Sequence, residues 1–528
     1  MQKLFFNQIS IYKIVTVGMV LFIALGSGLP AFAQEDGVAV EATEMGWQDR
    51  VDEKFGVLVS FIEPVLFYSV WENGDEDIQV KVPLIIVILV LGGIFFTFRY
   101  GFVNLLLFRH AFDVVRGKYD DPEDEGEISH FQALTSALAA TVGLGNIAGV
   151  ALAISAGGPG AIFWMWLTAF FGMSMKFSSC TLAQVYRQIQ PDGHVLGGPM
   201  VYLKKGIAER VPSLAFVGVV FSPLFAVLTI GAALGGGNLF QANQTYKIVA
   251  QMTGTEGQTW FALAVGLVLA TLVAIVVIGG IKRIGEVTQY LVPIMCVGYV
   301  GICLAIVFMN IGEVPALLSS IFTQAFNPDA AYGGLIGVLV IGMQRAAFSN
   351  EAGLGSAAIA HAAAKTDEPI REGVVAMLGP FIDTIVVCTM TALAILCTNA
   401  HLGVEGLEGV EITAKAFGSV HSFLPYFLMA AVFIFAYSTL ISWSYYGERA
   451  VEFLFGRAGL MPYRIIFVII VVMGPLLSLK SVVDFSDMML LSMAFPNILG
   501  MIFLSGKVRK LKNDYVARLK SGEMVKTK

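Results

Sequence analysis

Apolar runs near twenty residues recur from position 83 to position 504, separated by short polar connections. A helix needs about twenty apolar residues to cross the hydrocarbon layer of a bilayer. Eleven runs are read as spans, at about 83–98, 132–156, 160–185, 214–240, 261–280, 287–309, 334–362, 373–396, 421–446, 463–480 and 484–504. Ahead of them, Lys3 and Lys13 precede an apolar run from Ile14 to Leu25, and Ala31-Phe32-Ala33 is a small-x-small cleavage site. Residues 1–33 therefore read as a secretory signal, with an uncleaved first membrane helix as the alternative. Residues 34–82 are acidic and mixed, and the amphipathic stretch from Val51 to Trp71 predicts an interfacial helix on the outer face.

Two spans are interrupted by residues that do not belong in a plain membrane helix. The first carries Gly143, Gly145, Gly149 and Asn146. Glycine in a helix interior costs about 1 kcal/mol against alanine, and an amide in hydrocarbon needs a partner. The second carries Ile341-Gly342-Met343-Gln344-Arg345 and continues through Phe348-Ser349-Asn350-Glu351-Ala352-Gly353-Leu354-Gly355-Ser356. With the first span set aside, ten remain, and the two interruptions open the two sets of five. Interrupted segments at matching positions of two halves point to a transporter site between inverted repeats. A helix that restarts offers unpaired amides and about half a positive charge, which suits a carboxylate, and here Leu144 and Gly145 would be the donors. A helix that stops offers bare carbonyls, which suit sodium. The competing reading is that these glycines only let helices pack closely.

Charge orients the chain. Among lysines and arginines, 23 fall in the loops assigned to the cytoplasm and the C-terminal tail, against six in the loops assigned outside. This agrees with the positive-inside rule and places the C-terminus inside and the mature N-terminus outside. Two basic residues, Lys176 and Arg345, fall within spans. Lys176 is expected to snorkel from the inner end of its helix. Charge inside a membrane otherwise defaults to function.

Composition narrows the class. Only 14% of residues are charged and mean hydropathy is +0.76, where a soluble domain would carry roughly a quarter charged residues. An all-α polytopic membrane protein results, with the lipid bilayer as its solvent. No basic stripe interleaved with aromatics suggests nucleic acid. The five cysteines, Cys180, Cys296, Cys303, Cys388 and Cys397, lack metal-ligand spacing and read as small buried hydrophobes. There is no His-Glu-x-x-His and no serine elbow, so an enzyme is not expected, and no cofactor is expected beyond a coupling ion. A channel would repeat one filter symmetrically, whereas these two breaks differ in sequence.

Longer motifs carry a resemblance. They are Val142-Gly143-Leu144-Gly145-Asn146-Ile147-Ala148-Gly149-Val150, Gly157-Gly158-Pro159-Gly160-Ala161-Ile162-Phe163-Trp164-Met165-Trp166, Gly197-Gly198-Pro199-Met200, Gly237-Asn238 with Gln241 and Asn243, and Gly279-Gly280-Ile281-Lys282-Arg283. Phe348 to Ser356, Phe381-Ile382-Asp383-Thr384, and Ser438-Thr439 with Trp443-Ser444-Tyr445-Tyr446-Gly447 follow. Over about residues 83–505 the chain resembles the alanine or glycine:cation symporters, also called sodium:alanine symporters. The resemblance implies a five-plus-five inverted-repeat core of the sodium-coupled amino-acid transporter type with one extra N-terminal helix (132–309 and 334–504 as the repeats). It implies symport of alanine, glycine or a similar small neutral amino acid with Na+ or, in some members, H+, across a bacterial inner membrane.

By the same resemblance, the amides around Gly145 hold the substrate carboxylate, and Phe348 and Trp443 wall the pocket. Gly342 and Gln344 face the substrate from the second break. Carbonyls of Ala139 and Val142 with hydroxyls of Ser438 and Thr439 form a sodium site, while Asn146, Asp383 and Thr384 support the pocket or a second ion. The chain departs from the family pattern at Ala346, Ala358 and Ser179, the last leaving Lys176 without an expected acidic partner.

Several residues keep two readings. Asp383 binds a cation or relays a proton, or else pairs with backbone or with Arg345. Arg345 and Glu351, six residues apart, form a buried structural pair or a gate. His361, one turn from the cytoplasmic end, is expected to be a wet surface histidine. Trp164 and Trp166 are expected in the interfacial belt.

Overall fold

A computed structural model of the chain describes residues 67–72 and 81–524, apart from 122, 278–279, 328–333 and 404–408, with isolated positions at 56, 57, 60 and 64. The strands and helices below all belong to the unit Ile62–Lys528. The expected signal, and most of the expected interfacial helix, lie outside the described residues. At its far end that helix is not formed. Ser69–Glu72 (β1) is a strand paired antiparallel with Lys81–Pro83 (β2), so Val70 and Trp71 sit on a two-stranded ribbon.

Most of the remainder is helical, apart from a second antiparallel ribbon of Gln188–Ile189 and Val195–Leu196. The helices that frame the site include α1 (Leu84–Arg99), α2 (His130–Thr141), α3 (Ala148–Gly157), α4 (Gly160–Tyr186), α5 (Ala215–Leu234), α6 (Phe240–Thr253), α7 (Thr259–Val277) and α8 (Gly280–Met309). Then come α9 (Gly334–Asn350), α10 (Ala357–His361), α11 (Pro369–Ala376), α12 (Thr389–Cys397), α13 (Leu424–Phe455), α14 (Leu460–Met473), α15 (Leu479–Ser492) and α16 (Ala494–Ser521). Among the described residues, seven continuous helical stretches are long and apolar enough to cross a membrane, and the bent pair α2–α3 makes an eighth. The other three expected spans are also helical. Two are short, with 16 residues in α1 and 17 in α9. The 27 residues of α4 are diluted by Ser174, Lys176, Ser178 and Ser179.

Local chemistry sets the ends and the breaks. Ser129 caps α2 in a capping box with Gln132, satisfying amides that a helix start leaves orphaned. The same helix stops at Thr141, the chain turns through Val142 and Gly143, and Leu144–Asn146 make one 3₁₀ turn. The two helical arms, α2 and Leu144–Gly157, meet at a bend of 57°. Two π-helical stretches widen other helices, at Gly235–Leu239 and Phe381–Cys388. Such bulges turn polar groups out of their helix, often toward functional sites.

The second break is not where the sequence places it. Residues 341–345 lie inside α9, which continues unbroken to Asn350. The chain leaves the helix at Glu351, whose φ is 55°, and passes Gly353 and Gly355 at 85° and 90° before α10 begins. Gly342 serves packing instead: a Cβ there would run into the Ala161 carbonyl and the Trp164 side chain on α4. Its neighbour Gln344 donates to the Asp487 carboxylate at 2.7 Å.

The chain that leads into α2 runs parallel to the chain that leaves α10. Glu127 and Ile128 donate their amides to the Ala363 carbonyl, Lys365 donates to Ile128, and Thr366 donates to Glu125. Gly126 fits between them with φ of 148°, and a Cβ there would lie 2.7 Å from the Ala364 carbonyl oxygen. From the end of α4, the Arg187 guanidinium donates to carbonyls of Glu125, Ala362, Ala364 and Thr366, and Gln184 donates to those of His361 and Ala364. Both broken helices are thus bound together at one end.

Candidate functional site

Beside the first break lies a cavity lined by Ala140, Thr141, Gly143, Gly145, Gly236, Gln241, Phe348, Glu351, Trp443 and Leu490. Its volume of about 10 Å³, counted for water centres, is room for about one water. An amino acid therefore needs the walls to part. The break supplies its polar side. Gly143 donates its amide to Asn146 Oδ1 at 2.8 Å, and Leu144 donates to Gln241 Oε1 at 3.3 Å. The Gly145 amide has no hydrogen-bond partner among the described residues. Of the two donors expected from sequence, one is thus held by a glutamine side chain and the other is open. Gln241 Nε2 is anchored on the Gly236 carbonyl at 2.9 Å.

Across the cavity stand Trp443 and Glu351. The Trp443 indole donates to Glu351 Oε1 at 3.1 Å and to the Ala140 carbonyl at 3.3 Å, and Ser356 donates to Glu351 Oε2. The cavity thus has an amide at one pole and a carboxylate at the other, a pairing that matches the two ends of a zwitterion. Packing fixes its size. A Cβ on Gly237 would run into the Trp443 ring, and one on Gly145 would sit 3.3 Å from Ser349 Cα and 3.4 Å from the Phe348 ring. Phe348 is itself held edge-on by Phe240, with ring centroids 5.2 Å apart.

On the far side of the break, Thr439 donates its hydroxyl to the Ala139 carbonyl and to the Phe435 carbonyl, both at 3.0 Å. Ala139, Val142, Ser438 and Thr439 are all buried. Ser438 donates to Phe435 at 2.9 Å within its own helix. The structure joins Thr439 to Ala139, and leaves Ser438 turned into α13. Of the four expected oxygens the structure brings two together, the Ala139 carbonyl and the Thr439 hydroxyl, both uncharged and of the kind a hard monovalent cation accepts.

A second polar cluster surrounds Asp383 in the π-helical stretch. Asn146 Nδ2 donates to Asp383 Oδ1 at 2.6 Å and to its carbonyl at 3.1 Å, while Ser349 and Thr384 donate to Oδ2 at 2.9 and 2.7 Å. Asn350 Nδ2 donates to the Thr384 hydroxyl at 2.9 Å. One carboxylate therefore joins the first break, the end of α9 and the π-helical stretch. This explains Asn146, which spends both ends of its amide on Gly143 and Asp383.

Other expectations change. Arg345 pairs with Asp487 on α15, not with Glu351 or Asp383, and its guanidinium lies 5.4 Å from the Phe348 ring centroid. Gly342 and Gln344 do not line the cavity. Lys176 does not snorkel: it is 2% exposed and donates to the Asn350 carbonyl at 2.9 Å. His361, expected wet, is 1% exposed. The belt position expected for Trp164 and Trp166 is untouched by their contacts, in which the indoles donate to the Ala325 carbonyl and the Thr389 hydroxyl. Sequence reasoning missed the role of Asp487, although an acid inside an apolar run was the available signal. It quoted Gln241 without giving it a role.

Comparison with known proteins gives the family and the fold. Residues 70–528 match the model of the sodium:alanine symporter family. The chain is 44% identical over 429 residues to the sodium/alanine symporter AgcS of Methanococcus maripaludis, covering 81% of this chain and 92% of that protein. It is 35% identical over 455 residues to a putative sodium/proton-dependent alanine carrier, YrbD, of Bacillus subtilis, covering 83% and 90%. The crystal structure of MhsT in complex with L-phenylalanine superposes with a TM-score of 0.51 at 15% identity, covering 72% of this chain and 88% of that one, a likeness of fold. The broken helix, the small cavity beside it and the family match over most of its length converge: this chain belongs to the sodium:alanine symporter family, integral membrane transporters that carry amino acids with a cation.

Proposed function

We propose that the protein imports a small neutral amino acid, alanine or glycine in the first instance, together with Na+, by alternating access between five-plus-five inverted repeats preceded by one extra helix. The observation that carries this is the break at Val142–Asn146. Its carbonyl side meets Thr439, and its amide side lines the cavity. Ion and substrate then share one piece of main chain, so each pre-organises the site of the other, which is coupling in the thermodynamic sense.

The Gly145 amide takes the substrate carboxylate, and Gln241 steadies the adjoining Leu144 amide. Glu351 takes the ammonium group. Phe348, Trp443 and Gly237 leave no room for a large side chain. The Ala139 and Val142 carbonyls, with Thr439 and, after a change of rotamer, Ser438, hold the sodium ion. Arg345 and Asp487 close the side above Phe348, and the paired segments beside Gly126 close the other. The positive-inside rule assigns that second side to the cytoplasm, in eleven spans with the C-terminus inside a bacterial inner membrane.

A proton-coupled variant of the same cycle is favoured by two buried acids, Asp383 and Glu351, at the substrate's side of the fold. One experiment separates the readings. Uptake of labelled alanine or glycine into proteoliposomes collapses on replacing external sodium with choline if Na+ drives it. It persists, and follows an imposed pH gradient, if H+ does. Uptake indifferent to both would reject coupling.

A further inference from the structure

One buried cluster lies outside the cavity and outside both polar sites. Glu372, on α11, is fully enclosed, and each of its oxygens meets a histidine. Oε2 faces Nδ1 of His130, and Oε1 faces Nδ1 of His361 at 2.5 Å. His130 is the first residue of α2 and His361 the last of α10. Glu372 itself belongs to the helical run Pro369–Cys397, which also carries Asp383. A single carboxylate therefore ties the ends of both broken helices to the element that holds the polar cluster beside the cavity. The parallel pairing around Gly126 and the Arg187 clasp lie at the same ends, so the three contacts must part together when this side opens.

Protons decide how firmly the carboxylate holds. A ring nitrogen favours a carboxylate oxygen when it carries the proton, so both rings are protonated at Nδ1. With both rings neutral the cluster carries one negative charge; with one imidazolium it is neutral; with two it is positive. Burial disfavours net charge, so the singly charged ring is the tight state. Other charged or titratable groups lie near it. Asp120 lies 3.9 Å from His130 Nε2, Arg371 is adjacent on α11, and Arg187 and Cys180 face Glu372 from α4. The Nε2 atoms of both histidines have no hydrogen-bond partner among the described residues, so each ring keeps a position at which a proton is gained or lost.

We propose that Glu372 is a positioning residue of the transport cycle. Sharing one extra proton with His130 and His361, it latches the ends of both broken helices, and a change in that proton count frees them. This rests on the symport reading, with these ends at the cytoplasmic face. The pH of the cytoplasm then sets how readily that face opens.

The test uses membrane vesicles of uniform sidedness, right-side-out and everted, holding the full-length protein. Sodium-dependent alanine exchange is followed while pH on each side is varied separately between about pH 5 and pH 8. In the wild type, exchange changes by about threefold or more with cytoplasmic-side pH and stays level with pH on the other side. Glu372→Gln flattens the profile while sodium-dependent uptake at neutral pH persists. Should Glu372→Gln fail to fold, His361→Gln carries the test, with the same flattening expected. A wild-type profile that is flat, or that follows only the opposite side, overturns the proposal, as does a variant profile equal to the wild type. Loss of sodium dependence in the wild type would instead overturn the symport reading, and the two failures are read from different measurements.

Discussion

The hydroxyl of Thr439 donates to the carbonyl of Ala139 across 300 positions of sequence, at 3.0 Å, one turn before α2 breaks. A side chain of α13 is thereby aimed at main chain that has no helical partner further on. The contact places a carbonyl and a hydroxyl side by side with other oxygens in a buried space, without any acid.

Thr439→Ala is expected to lower the apparent affinity for sodium about tenfold, the equivalent of about 1.4 kcal/mol and of one hydroxyl contact. Thr439→Ser keeps the oxygen and is expected to stay near the wild type. Uptake measured against sodium concentration checks this, and matching curves for the alanine variant and the wild type would remove Thr439 from the ion site.

Trp443 and Gly237 are expected to shift selection in opposite directions. Trp443→Ala opens the wall, so larger neutral amino acids begin to compete with labelled alanine. Gly237→Ala pushes the indole inward, so alanine uptake falls more than glycine uptake. A competition panel reads both, and an unaltered ranking in both variants would show that the indole does not set size.

Asp383→Asn exchanges one acceptor oxygen for an amino group facing donors from Asn146, Ser349 or Thr384. A buried donor left facing donors costs about 1–3 kcal/mol, so uptake is expected to drop about tenfold while the protein still folds. Thermal unfolding beside uptake separates the two effects. Normal transport by the variant would make the cluster a packing device.

Gly126→Ala puts a methyl group against the Ala364 carbonyl at a backbone angle that side chains avoid. A loss of about 1–3 kcal/mol in stability is expected, seen as a lower melting temperature in detergent. An unchanged melting temperature would mean that the paired segments yield easily.

Much of this was legible in the sequence, for reasons that differ by residue. Apolar runs announce themselves by length, and ten of the eleven expected spans find a continuous helix or a bent pair in the structure; in the remaining one, at 334–362, the helix ends at Asn350. Asn146 marked the first break because an amide in hydrocarbon demands a partner. The second break was misplaced by reading Gly342 as a helix breaker. Its missing Cβ admits the Ala161 carbonyl, whereas the turn is made by Glu351, a residue whose left-handed backbone no local pattern betrays. His361 and Lys176 were misjudged because their partners, Glu372 and the Asn350 carbonyl, are remote in sequence. Arg345 likewise found Asp487, which only the packing of α9 on α15 brings near.

The paired segments beside Gly126 have a consequence for speed. Amides of Glu127, Ile128, Lys365 and Thr366 are satisfied by the opposite segment. In the proposed import cycle, each molecule delivered through that face would oblige those groups to be rehydrated and then dried again. Turnover should therefore steepen with temperature more than cargo binding does, and a carrier built this way gives up haste to keep its seal.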